Sequence, residues 1–126
     1  MIRSARPATK IIACEPAGAA LLEGKEWKPH KIQGWTPDFV PSVLDRKVYD
    51  EVIPVADDRA IACARQLAHF EGIFCGISAG GTFAAALSVA AKAPDGSVIL
   101  AMLPDTGERY LSTALFEGVE TGSDTV

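Results

Sequence analysis

A chain of 126 residues, 48% hydrophobic and 22% charged, is long enough for one compact domain that buries roughly two-thirds of the surface its unfolded form exposes. Its net charge of −4, with no basic stripe interleaved by aromatics, argues against a nucleic-acid partner. No apolar run approaches the ~20 residues that span a bilayer, and the charged start Met1-Ile2-Arg3-Ser4-Ala5-Arg6-Pro7 has no apolar core behind it, unlike a secretory signal.

A cytoplasmic protein with no membrane association is therefore expected. Cys14, Cys63 and Cys75 are odd in number, lie in apolar surroundings and form no C-x-x-C pair, which predicts free buried thiols. His30 and His69 are far apart and share no ligand spacing with a cysteine, so no metal site is expected.

In chain order, Lys10-Ile11-Ile12-Ala13-Cys14 predicts a short buried strand, stopped by Glu15-Pro16. A long ordered loop follows through Gly24 and Pro29 to Pro37, and loops of that length inside a domain tend to be functional. Residues 40–45 suggest a short helix with Pro41 in its first turn. Glu51-Val52-Ile53-Pro54-Val55 reads as a second strand, which Pro54 moves toward an edge or a strand end.

Asp57 and Asp58 offer an N-cap. Behind them Ala60, Cys63, Ala64, Leu67 and Phe70 recur at helical spacing, forming a core-facing stripe on a helix that ends at Gly72. Ile73-Phe74-Cys75 is a third short strand. After the glycine-rich stretch 76–81, the alanine-rich residues 82–93 fit a helix buried on most sides and stopped by Pro94-Asp95-Gly96.

The uninterrupted apolar run Ser97-Val98-Ile99-Leu100-Ala101-Met102 has the character of a parallel strand covered on both faces. It delivers Thr106 to a carboxyl end, where ligands collect in open α/β sheets. This alternation predicts an α/β fold: three layers, with a mostly parallel sheet and flanking helices. There is no internal repeat, and the polar residues 119–126 read as a tail.

Three stretches could carry chemistry. Gly76-Ile77-Ser78-Ala79-Gly80-Gly81 lies between a strand and a helix, where glycines permit close backbone approach and a helix N-terminus offers N–H groups to an anion. It can equally be a tight connection that happens to need glycine. It also spells Gly-x-Ser-x-Gly, the nucleophile elbow of α/β-hydrolases, but that triad needs a histidine after the serine, and both histidines precede Ser78.

The loop around Pro29-His30-Lys31-Ile32-Gln33-Gly34, flanked by Trp27 and Trp35, could be a binding surface or an amphipathic cover. The third stretch, Leu103-Pro104-Asp105-Thr106-Gly107-Glu108-Arg109-Tyr110-Leu111-Ser112-Thr113, reads either as a ligand contact at a strand end or as a turn in which Asp105 or Thr106 caps the next element.

Together these three motifs, in this order and spacing, resemble the C-terminal part of the cysteine synthase (O-acetylserine sulfhydrylase) family, fold-type II pyridoxal-phosphate enzymes with a tryptophan synthase β-like fold. The resemblance covers residues 1–118. It implies that Thr106 hydrogen-bonds the pyridine nitrogen of pyridoxal phosphate and that Gly34 lies where the backbone passes beside the cofactor. Ser78 and Gly80 become substrate-side candidates, and Asp105 is expected to point elsewhere.

A neutral hydroxyl on that nitrogen makes the ring a weaker electron sink than a carboxylate would. This suits the family reaction, in which acetate leaves O-acetylserine and sulfide takes its place to give cysteine. Where many members have Ile-Gly-Ala-Gly-Phe, this chain has Trp35-Thr36-Pro37-Asp38-Phe39, a bulkier and stiffer segment that bears on the acceptor nucleophile.

The family's Schiff-base lysine and its Gly-Thr-Gly-Gly-Thr-like phosphate loop do not occur among these residues. The expectation is a cysteine synthase-like chain that is inactive alone and supplies no catalytic residue, only one wall of a cofactor site. A non-catalytic remnant or binding scaffold is the alternative. The resemblance also implies a small-molecule amino-acid substrate and, as partners, a second copy in a homodimer, a separate N-terminal half or serine acetyltransferase. Apolar surface that normally packs on the missing part should be exposed.

Overall fold

The computed structural model describes residues 1–119, so the predicted tail lies, apart from Val119, outside the described residues. A four-residue helix α1 (Ile2–Ala5) opens the chain. It is tied down by Arg3, whose guanidinium lies 2.8 Å from the Asp50 carboxylate. That carboxylate also accepts the Ile11 N–H at 2.8 Å. The Ile11 N–H first, and Arg3 with it, hold the Asp50 carboxyl below the usual range.

The strands β1 (Ile12–Pro16) and β2 (Glu51–Val55) form a parallel pair in register from Ile12 opposite Glu51 to Pro16 opposite Val55. Among the described residues β2 has β1 as its single strand neighbour, which leaves an edge of the kind where proline is tolerated, as at Pro54. The crossover 17–50 contains two short 3-10 turns, Ala17–Ala19 and Leu21–Glu23, and its Ile32 is fully buried in the core. Residues 40–45 form a turn, closed by Leu44 N–H on the Pro41 carbonyl at 3.0 Å, rather than the expected helix. Val43 there is 92% exposed, so no apolar face is available to anchor one.

Helix α2 (Asp57–Glu71) buries Ala60, Cys63, Ala64 and Leu67 and ends at Gly72, whose φ of 66° is left-handed. The predicted stripe is present except at its end, where Phe70 is exposed. Helix α3 (Ile77–Ala90) begins inside the glycine-rich stretch rather than at residue 82, and it packs closely on α2.

The third and fourth expected strands do not form. Cys75 makes one antiparallel bridge to Thr106. Residues 97–102 join no ladder among the described residues, although the Thr82 hydroxyl donates to the Met102 carbonyl. Val98 is 96% and Leu100 92% exposed. A strand needs neighbours at its hydrogen-bonding edges as well as apolar side chains, and here nothing supplies them. The chain is still α/β, with a parallel sheet flanked by helices.

The thiols of Cys14, Cys63 and Cys75 are free, and Cys14 is only half-buried. Burial raises all three above the ordinary thiol range. Among the described residues no group of three or more metal-ligating side chains comes together, and no helix is long and apolar enough to cross a membrane.

Candidate functional site

The three stretches singled out from sequence meet at the first turns of α3. From one side comes 103–110. Its Asp105 carboxylate accepts the Ala79 N–H at 2.9 Å and lies 3.4 Å from the Ser78 nitrogen, so it caps the start of α3. This cap explains why α3 starts among glycines. Glycine disfavours helix by about 1 kcal/mol relative to alanine, and a carboxylate on free N–H groups at a helix N-terminus offsets such a cost.

Close approach at Gly76 makes the cap possible. A Cβ there would be 2.2 Å from Asp105 Oδ2 and 2.3 Å from Tyr110 Cε2. The backbone of the two segments also interlocks. Gly107 N–H donates to the Phe74 carbonyl at 3.2 Å, and a Cβ on Gly107 would be 2.8 Å from the Phe74 ring.

Thr106 follows Asp105 with extended backbone, φ −106° and ψ 156°, and leads into the 3-10 turn Gly107–Tyr110. It is exposed. Its hydroxyl is the main cause that holds the Glu108 carboxyl below the usual range. The Asp105 carboxylate therefore serves α3, away from Thr106, as expected from the sequence.

The loop carrying Gly34 arrives from the other side. Gly34 has φ +82° with open space where a Cβ would stand, and the Trp35 N–H closes the turn on the Ile32 carbonyl at 3.3 Å. The Trp35 ring lies over α3: a Cβ on Gly81 would be 2.8 Å from its Cη2. Next to it the Thr36 carbonyl accepts both the Trp27 indole N–H at 3.2 Å and His30 Nε2–H at 3.1 Å. His30 Nδ1 is buried without a partner. In the segment that departs from the common family pattern, Trp35 thus packs on the glycine-rich stretch and Thr36 is bonded within its own loop, while Phe39 is exposed.

Ser78 and Gly80 sit within α3 itself. Ser78 is 6% exposed. No residue other than glycine has positive φ among the described residues, so the strained turn of a nucleophile elbow is absent around Ser78. Gly80 faces α2, where a Cβ would stand 2.1 Å from the Ala60 carbonyl oxygen. Ser78, Thr106 and, through the Trp35 ring, the segment that follows Gly34 thus come to one helix end, while Gly80 turns to the neighbouring helix.

A separate open cleft of about 630 Å³ lies beside α2, lined in part by Gly18, His30, Lys31, Asp57, Ile61 and Arg65. None of Gly34, Ser78, Gly80 and Thr106 lines it.

The fit to a pyridoxal-type cofactor is divided. An exposed hydroxyl at Thr106 suits a ring nitrogen, which needs a single hydrogen-bond partner. The α3 N–H groups that could receive a phosphate are already held by Asp105. Sequence reasoning had no local signal for the Asp105 cap or for Trp35 against Gly81, because both contacts join residues distant along the chain.

Residues 1–105 match the family of pyridoxal-phosphate dependent enzymes. Over 124 residues the chain is 58% identical to the O-ureido-L-serine synthase of Streptomyces lavendulae, covering 98% of this chain and 38% of that protein. It is 39% identical over 116 residues to a cysteine synthase of Staphylococcus aureus, covering 92% of this chain and 37% of that one. The crystal structure of O-ureido-L-serine synthase superposes with a TM-score of 0.94 over 98% of this chain and 39% of its own. That of a cysteine synthase from Entamoeba histolytica, 38% identical, superposes with 0.89 over 97% of this chain and 36% of its own. The chain thus spans a little over a third of the length of these relatives.

Proposed function

The chain belongs to the pyridoxal-phosphate dependent enzymes, and from that premise we propose that residues 1–118 form the C-terminal part of a β-replacement enzyme, supplying the ring-side wall of its cofactor site. Thr106 offers its hydroxyl to the pyridine nitrogen, Gly34 lines the backbone beside the cofactor, and Ser78 faces the substrate. Gly80 acts on that side indirectly, by letting α3 sit close on α2. When bound, the cofactor supplies an electron sink for loss of a β-substituent. The chain's own residues orient it and withhold a formal charge from its nitrogen.

The observation that carries this reading is the convergence of the Gly34, Ser78 and Thr106 segments on α3. It occurs in a fold that superposes on O-ureido-L-serine synthase with a TM-score of 0.94. No catalytic lysine is assigned among these residues, so they are expected to show no turnover by themselves and to need the part of the fold that the longer relatives carry in addition. The two products named by the relatives are cysteine and O-ureido-L-serine. The higher identity, 58% against 39%, supports the second, and the stiff Trp35-Thr36-Pro37 segment is consistent with an acceptor site shaped differently from that of cysteine synthases.

The reading is tested by titrating the purified chain with pyridoxal phosphate, alone and with the N-terminal part of the Streptomyces lavendulae O-ureido-L-serine synthase in trans. Visible absorption and borohydride trapping report binding, and turnover of O-acetylserine reports activity. Binding and turnover only in the mixture, lost in Thr106→Val, are expected. A saturable band from this chain alone, trapped on one of its own lysines, would overturn the assignment of the chain as a partial site.

A further inference from the structure

Asp105 is adjacent to the residue proposed to meet the cofactor, yet it takes part in a different arrangement. Its carboxylate holds the Ala79 N–H at 2.9 Å, with the Ser78 nitrogen at 3.4 Å. Gly76 leaves room for that carboxylate and for the Tyr110 ring together, since a Cβ would clash with both. Its own backbone carbonyl accepts the Gly76 N–H at 3.4 Å, and the next residue bridges to Cys75.

Burial and the neighbouring Asp105 carboxylate push the Tyr110 phenol up to about 12, as expected for a phenol donating its proton to that carboxylate. Asp105 is thus tied to the start of α3 through both its carboxylate and its backbone carbonyl, and Thr106 inherits its position.

An open helix N-terminus preceded by glycines is a ready receptor for phosphate, because several N–H groups and the helix dipole point at one place. Here the negative charge is intramolecular. We propose that Asp105 is a positioning residue and a built-in counter-anion: it fixes Thr106 at the start of α3 and turns phosphate away from that helix end. A phosphate-bearing ligand then meets this chain with its non-phosphate end. The role of Thr106 toward a cofactor rests on the reading above, whereas exclusion of phosphate from α3 stands on its own.

The test uses inorganic phosphate and the amide spectrum of the whole chain, without cofactor. In the wild type the Ser78 and Ala79 resonances are expected not to respond in a saturable way. In Asp105→Ala they should respond saturably at phosphate concentrations that leave the wild type unmoved, because the helix end has lost its counter-charge, and the Thr106 amide should move as its anchor is lost. In Asp105→Asn the cap and the Thr106 resonance should persist while the phosphate response rises above the wild type.

If Asp105→Ala fails to fold, the comparison of Asn with Asp decides. Equal phosphate responses in wild type and in a folded variant would overturn the proposal, as would a Thr106 amide unmoved in folded Asp105→Ala. Failure of the cofactor titration would leave this outcome unaffected.

Discussion

Gly80 of α3 rests directly on the Ala60 carbonyl oxygen of α2: a Cβ at position 80 would come within 2.1 Å of that oxygen and 2.7 Å of the Ala64 nitrogen. Both obstacles are backbone atoms inside a helix, so neither can step aside as a flexible side chain would. Gly80→Ala gains ~1 kcal/mol of helix propensity but overpacks a contact whose relief typically costs ~1–3 kcal/mol and sometimes more. A net loss of up to about 2 kcal/mol is expected at this backbone contact, with a lower urea midpoint.

Arg65 ties the end of the described chain to α2. Its Nε–H donates to the Leu115 carbonyl at 2.6 Å, and Nη2 lies 3.1 Å from the Ala114 and 2.9 Å from the Glu117 carbonyl oxygens. Hydrogen bonds from a charged donor contribute roughly 1.5–3 kcal/mol when buried, and these are partly exposed. Arg65→Ala should cost about 1–3 kcal/mol and speed proteolytic cleavage after Thr113. Arg65→Lys should recover only part, because an ammonium lacks the guanidinium fork.

The exposed run 97–102 predicts self-association. Val98 and Leu100 are 96% and 92% exposed in an apolar run that has no ladder partner among the described residues, the features that mark an aggregation-prone edge. The double substitution Val98→Lys and Leu100→Lys should leave stability within about 0.5 kcal/mol and abolish concentration-dependent sedimentation. It should also prevent association with an N-terminal half, if that half pairs with this run.

Alkaline pH should weaken the Asp105 cap. The Tyr110 phenol is raised to about 12 from its ordinary 10, so the folded state favours the neutral phenol. The stability this contributes is complete below about pH 10 and is lost as pH rises through about 12. Denaturant midpoints between these limits should fall for the wild type, and Tyr110→Phe should flatten that part of the decline.

Much of the fold is legible in local sequence. The β2 run, most of the α2 stripe and its Gly72 stop are set by side-chain period and backbone permissions that act over a few residues, whereas β1 continues through the Glu15-Pro16 pair expected to stop it. The composition of the three motifs also singles out the segments that meet at the start of α3. Residues 97–102 show the limit of this reading: their apolar pattern is that of a covered strand, yet a strand exists only when another backbone pairs with it.

What the tertiary structure decided is how those segments meet. The start of α3 depends on a carboxylate more than two dozen positions away, and the place of Trp35 depends on the absence of a side chain at Gly81. Gly80 is read from sequence as a substrate-side candidate, but packing sets it against the backbone of α2. Sequence by itself determined which residues can turn, cap or pack. Long-range contact chose among those options, because a hydrogen bond or a steric clash acts through space and leaves no period along the chain.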